Sequence, residues 1–190
     1  MNSKTKVFVA GSRRLSRLSK DVKRRIDNIL DKRLTIILGD ANGADKAVQQ
    51  YLKSRQYDNV IVFCMEGGCR NNVGEWPVRK IAAADPSRHD FAYFSTKDRA
   101  MVEEADYGLL LWDGNSRGTL RSIVDLVRHG KPVVVYLAPA KSFCSLRQPD
   151  ELVEMLSHVD PTALRGIDRE LRSFVRDGAS GHKVETAPLF

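Results

Sequence analysis

The sequence contains no run of about 18 apolar residues, so no segment of it reads as a membrane-spanning helix. Its opening residues, Met1-Asn2-Ser3-Lys4-Thr5-Lys6, lead into a strand pattern without an apolar leader, which predicts a cytoplasmic chain with no membrane partner. Cysteine is scarce. Cys64, Cys69 and Cys144 form an odd set of three with neither metal-ligand nor disulfide spacing, which argues against a stapled secreted fold and implies no metal. Cys64 falls in an apolar run and reads as packing; Cys69 lies in a glycine-rich loop, where an inert thiol and a ligand-facing one are both open. Two phosphate signatures are missing as well. Gly39 and Gly43 are followed by Ala44-Asp45 instead of the Lys-Ser/Thr of a P-loop, and no G-x-G-x-x-G occurs. These absences weaken kinase, NTPase and ordinary dinucleotide readings, and no cofactor is implied.

What is present is the balance of a globular domain. With 190 residues, 42% hydrophobic and 29% charged, the chain can bury one sizeable core and carry a small appendage. A formal charge of +7 suits a nucleic acid and a small anionic ligand equally. Much of it crowds the segment that holds Arg13, Arg14, Arg17, Lys20, Lys23, Arg24 and Arg25. A solvated helix face explains that cluster most simply, and no aromatics are interleaved with it to stack on single strands, so nucleic acid is not the favoured partner.

Short apolar strands alternate with amphipathic segments. Strand patterns fall at residues 6–10, 35–38, 60–64, 107–112 and 132–137. Between them, helical spacing appears at Val22, Ile26, Ile29 and Leu30; at Ala47, Val48, Tyr51 and Leu52; at Ala100, Met101 and Ala105; and at Leu120, Ile123, Val124 and Val127. That alternation predicts an α/β fold: right-handed βαβ units and a doubly wound, mostly parallel sheet covered on both faces as a three-layer sandwich. Gly130 and Pro132 punctuate the end of the last of these helices. Residues 65–94 read as a long loop with at most one short helix near 78–84, of the kind that often binds ligands. The main domain is expected over residues 1–140, and residues 141–190 as a C-terminal extension of polar turns, a helix at 161–176 and a tail from Gly178.

Three strands end in small-residue loops that open helices. The first is Gly11-Ser12-Arg13-Arg14, the second Gly39-Asp40-Ala41-Asn42-Gly43-Ala44-Asp45, the third Asp113-Gly114-Asn115-Ser116-Arg117-Gly118-Thr119. Free N–H groups and the helix dipole favour a bound anion at such junctions, and in a parallel sheet all three lie on one edge. Arg13, Ser12 and Ser116 add donors, and Asp113 suits a ribose hydroxyl. Gly118-Thr119 also reads as a plain helix cap, and Asp45 as a cap or an orienter of Arg13 or a sugar hydroxyl. Upstream, Lys97-Asp98-Arg99-Ala100-Met101 adds a cation, a carboxylate and an apolar contact, although Asp98 and Met101 also read as a helix cap and core.

Together these motifs, with Ala105-Asp106 and Gly130-Lys131-Pro132-Val133, resemble the SLOG superfamily, most closely its YspA-like branch, across residues 6–137. Relatives within that superfamily include LOG-type nucleotide phosphoribohydrolases, nucleoside deoxyribosyltransferases and Smf-type DNA-processing proteins. The resemblance implies a Rossmann-like domain, a nucleotide or nucleotide-derived ligand, and a homodimer. It places ligand binding on Gly11, Ser12, Arg13, Gly39, Asp40, Asn42, Gly43, Ala44, Asp45, Lys97, Met101, Gly114, Asn115, Ser116, Gly118 and Thr119. One departure bears on catalysis. The LOG-type hydrolases resemble one another in a Gly-Gly-x-Gly-Thr-x-x-Glu signature, and here Gly118-Thr119-Leu120-Arg121 is followed by Ser122, which cannot take a carboxylate's charged role. The expected function is therefore binding or sensing, with N-glycoside cleavage through Asp113 or Asp98 and Smf-like DNA binding as alternatives.

Overall fold

Continuous Val/Ile/Leu runs form strands where both faces of a sheet are covered, because every side chain then finds an apolar partner. In the computed structural model, which describes residues 5–82 and 91–159, the chain runs β1 (Lys6–Gly11), α1 (Lys20–Asp31), β2 (Thr35–Leu38), α2 (Ala44–Ser54), β3 (Val60–Met65), β4 (Val78–Ile81), α3 (Phe91–Glu104), β5 (Tyr107–Trp112), α4 (Arg117–Arg128), β6 (Val133–Leu137), β7 (Ser142–Leu146) and α5 (Pro149–Ser157). The strands make one sheet in the order β4-β3-β2-β1-β5-β6-β7, parallel except for β7. This is a Rossmann-like three-layer sandwich.

Strand periodicity sorts the core into two layers. Val7 and Val9 of β1 face the layer that includes Val22, Ile26 and Ile29 of α1 and Val48 and Leu52 of α2. Phe8 faces the opposite layer, with Met101 of α3, Ile123 and Val127 of α4 and Leu152 of α5. The helix spacing read from sequence thus lands on buried faces. From β1 the winding proceeds outward through β2, β3 and β4, and α3 then carries the chain back to β5 on the other side of β1. The reversal opens a crevice at the carboxyl ends of β1 and β5.

Several expectations change. Residues 78–81 form an edge strand, β4, parallel to β3, and not a helix; two of its four residues are charged and three are exposed, so its apolar pattern is too thin to announce it. Helix α3 begins at Phe91, earlier than the spacing suggests, so Asp98 lies mid-helix and caps nothing. Past residue 140 the sheet continues: β7 pairs antiparallel with β6, and Leu152, Met155 and Leu156 of α5 join the second core layer. The expected boundary between 140 and 141 therefore falls between two paired strands. The helix expected at 161–176 and the tail from Gly178 lie outside the described residues. Cys64 and Cys69, read as unpaired, form a disulfide with their Cα atoms 5.1 Å apart, because the turn after β3 folds Cys69 back over the strand end. Among the described residues, no helix is long and apolar enough to cross a membrane.

Candidate functional site

At the β1/β5 reversal lies an open cleft of about 510 Å³, within the range of small-molecule sites. Its walls come from the loops after β1, β2 and β5, the turn after β3, and the flank of α3.

The loop after β1 supplies Gly11, Arg13 and Arg14 to the cleft. Ser12 lies beneath them, fully buried. Its hydroxyl donates to Asp113 Oδ1 at 2.9 Å, accepts from the Asp113 N–H at 3.1 Å and lies 3.4 Å from Thr119 Oγ1. Ser12 is a buried rivet between the β1 and β5 loops, its hydroxyl proton already donated to Asp113.

The loop after β2 departs most from its expected role as an anion cradle. Gly43 has φ +84°, and a Cβ there would lie 2.1 Å from the Arg13 carbonyl oxygen. The first N–H of α2, on Ala44, points at the Ser12 carbonyl oxygen, 3.3 Å away. The start of α2 is thus plugged by the β1 loop, and Ala44 is fully buried. Asn42 stands outside the cleft walls and accepts a hydrogen bond from Asn71. Ala41 and Asp45 alone from this loop reach the cleft.

Below it sits an ionic cluster. Asp40 is buried and accepts from Lys97 Nζ at 2.6 Å, from Arg70 Nη2 at 2.7 Å and from the Arg70 N–H at 3.0 Å. Burial opposes its ionisation, but the hydrogen bonds of Arg70 and the charge of Lys97 win and bring its pKa down to about 2. Asp45 shares Lys97 less directly and accepts one bond, from the Ala41 N–H at 3.1 Å. Burial dominates there, and its carboxyl is pushed up to about 6 despite Lys97, with Asp98 adding to the rise. Gly39 lies against this pair: a Cβ would meet Asp45 Oδ2 at 2.6 Å and Lys97 Nζ at 2.9 Å. Asp98 faces the cleft one residue along α3, its carboxyl raised by burial against the pull of Lys97, Arg70 and Arg13. Met101, one turn later, is buried against the core at the cleft floor.

The loop after β5 is held by Asp113. Its Oδ1 accepts from the N–H groups of Asn115 at 3.0 Å and Ser116 at 2.8 Å besides Ser12, and these bonds outweigh burial to keep its pKa low. Gly114, at φ +81°, completes the turn outside the cleft walls. Ser116, and not Thr119, caps α4: its Oγ accepts from the Thr119 N–H and hydroxyl at 3.4 and 3.0 Å. The N–H groups of Arg117 and Gly118 have no acceptor one turn back and open the helix beside Asn115, Ser116 and Thr119 in the cleft wall. Ser122 also lines it, its hydroxyl donating to the Gly118 carbonyl at 3.2 Å.

The structure therefore brings Gly11, Arg13, Asp45, Lys97, Asp98, Met101, Asp113, Asn115, Ser116, Gly118 and Thr119 into one cleft. Ser12, Gly39, Asp40, Gly43, Ala44 and Gly114 shape it from behind or beside, and Asn42 does neither. Sequence reasoning missed Arg14, Arg70, Phe94, Ser95 and Arg117 as wall residues. Arg14 and Arg117 stand inside the motifs already noticed, whereas Arg70 and Phe94 come from stretches with no local signature. The guanidinium of Arg70 lies 4.5 Å from the centre of the Phe94 ring, and that of Arg13 lies 5.9 Å from it. Five cationic and three acidic side chains line the cleft. No family model and no curated protein matches the chain.

Proposed function

We propose that this cleft binds a nucleotide or nucleotide-derived ligand. The observation that carries the reading is the meeting of Arg13, Arg14 and Arg117 with the open first turn of α4 at the sheet's switch point. Such a helix start with flanking guanidiniums suits phosphate, and Phe94, stacked with Arg70, adds aromatic surface to the cleft wall for a base. Calorimetric titration against mono-, di- and cyclic nucleotides tests it; saturable binding by at least one is expected, and binding by none overturns it. The homodimer implied by the resemblance is checked separately by light scattering.

A second reading has one observation in its favour. Asp98 and Asp45 line the same cleft, both with carboxyls raised by burial, the direction in which a carboxyl keeps its proton for a departing base. N-glycoside cleavage of a nucleoside monophosphate would use Asp98 as the acid. Asp113 suits that role less, since its Oδ1 already accepts three hydrogen bonds and its pKa is low. Release of free base, followed by chromatography and lost in Asp98→Asn, supports cleavage; nucleotide binding without base release leaves the binding reading alone.

A further inference from the structure

Arg70 enters the cleft from the turn that follows β3, and the tip of that turn has little to hold it. Residues 66–70 are all exposed. A Cβ at Gly68 would touch nothing within 4 Å, and one at Gly67 would reach only Tyr93 Oη at 3.7 Å. Its backbone is held at the two ends, by the Glu66 N–H to the Ile81 carbonyl at 3.1 Å and the Arg70 N–H to Asp40, and at the tip only by the Gly68 N–H to the Met65 carbonyl at 3.0 Å. The Cys64–Cys69 disulfide is its covalent tether. Cys64 is fully buried in β3, paired with Lys80 of β4, so the tether joins an exposed turn to the rigid sheet. The residue after Cys69 is Arg70, whose N–H and guanidinium both bond Asp40 while its side chain stays about a third exposed. Position at Cys69 is therefore passed directly to the cleft.

We propose that Cys64 and Cys69 form a thiol–disulfide exchange site for low-molecular-weight thiols of the glutathione class, and that their redox state sets the position of Arg70 and hence the affinity of the cleft for phosphorylated ligands. The second half rests on the nucleotide-binding reading above. In reduction, a glutathione thiolate attacks the exposed Cys69 Sγ, the Cys64–Cys69 bond breaks, and Cys64 Sγ leaves with the electron pair and takes up a proton. A second glutathione thiolate attacks the glutathione sulfur of the mixed disulfide, and Cys69 leaves as a thiolate that is protonated in turn. Two glutathiones become one oxidised glutathione, and the protein gains two thiols. Oxidation is the reverse, with oxidised glutathione as the two-electron acceptor.

The test uses the full chain equilibrated with reduced or with oxidised glutathione. Alkylation under denaturing conditions and mass spectrometry should count three thiols in the first form and one in the second; three in both overturns the exchange site. Titration with AMP and with pyrophosphate should then show about tenfold weaker binding in the reduced form, the size of a charge-assisted hydrogen bond partly lost. Cys69→Ser, a change at an exposed position, should bind like the reduced form in either buffer, and Cys144→Ser should keep the redox dependence. Equal affinities with a changed thiol count overturn the coupling. If neither probe binds either form, amide exchange over residues 66–73 judges the tether: faster exchange on reduction supports it, unchanged exchange overturns it.

Discussion

Asp40 and Asp45 stand five positions apart in one loop, meet the same lysine, and are driven in opposite directions. Asp40 makes direct contact with Lys97 and Arg70, so its charge is favoured; Asp45 has one N–H partner and is left to its burial. Their effects on stability are opposite too. The Asp40 carboxyl lies below its ordinary value of 3.8, so its contribution is present above pH 4 and is lost as pH falls towards about 2. The Asp45 carboxyl lies above it, so its contribution is full below pH 3.8 and is lost as pH rises through about 6. Denaturant midpoints measured between pH 4 and 7 should fall with rising pH in the native chain and fall less steeply in Asp45→Asn, the remainder coming from Asp98 and Asp125, whose carboxyls burial also raises. Asp40→Asn should destabilise by about 3–5 kcal/mol in urea titration, since it strips the carboxylate from a lysine with 3% of its side chain exposed. At the cleft mouth, Arg117→Ala should weaken nucleotide binding by about 10- to 100-fold in calorimetry, the cost of one charge-assisted hydrogen bond. Arg13 and Asp98 were legible as charged candidates, and Arg117 only as a member of a motif already noticed. The split between Asp40 and Asp45 was not, because it depends on which of them Lys97 and Arg70 reach from other elements.

At the scale of elements, two helix starts that look alike in sequence differ in what they can offer. Helix α2 begins at a positive-φ glycine pressed on the Arg13 backbone, with its leading N–H turned to Ser12. Helix α4 begins at a serine cap and opens beside the cleft. Gly43→Ala should destabilise the fold by more than 1 kcal/mol in denaturant titration, since alanine meets both a disfavoured φ and a carbonyl in the way. Ser116→Ala should cost about 1 kcal/mol by the same measurement and weaken nucleotide binding with it, because the cap also shapes the cleft wall to which the proposal assigns the phosphate. The five strands and the spacing of α1, α2 and α4 were legible because their apolar periodicity matches the faces they bury. Strands β4 and β7 were not: both are edge strands with too few buried apolar side chains to announce them, three of four exposed in β4 and a single fully buried one, Leu146, in β7.

At the scale of the whole molecule, a ligand in the cleft would join β1 and the loops of the outward-wound half to β5 and α4 of the other half. It should therefore protect the entire domain: at 100 times its Kd, the best nucleotide should raise global stability by about 2.7 kcal/mol, read as a higher denaturation midpoint. The α/β class followed from the sequence alone, since alternating strand and helix periods leave few ways to cover a parallel sheet on both faces. So did the presence of three glycine-bearing loops on one sheet edge, because parallel strands put their carboxyl ends together. Tertiary structure decided which of those loops opens on the cleft. Burial turned the start of α2 and the Asp40 carboxylate before it inward as a scaffold, and the reversal between β1 and β5 brought in Arg70 and Phe94 from stretches without a motif. A helix start or a carboxylate acquires its role from its neighbours in space, and those neighbours here are 30 to 57 residues away along the chain.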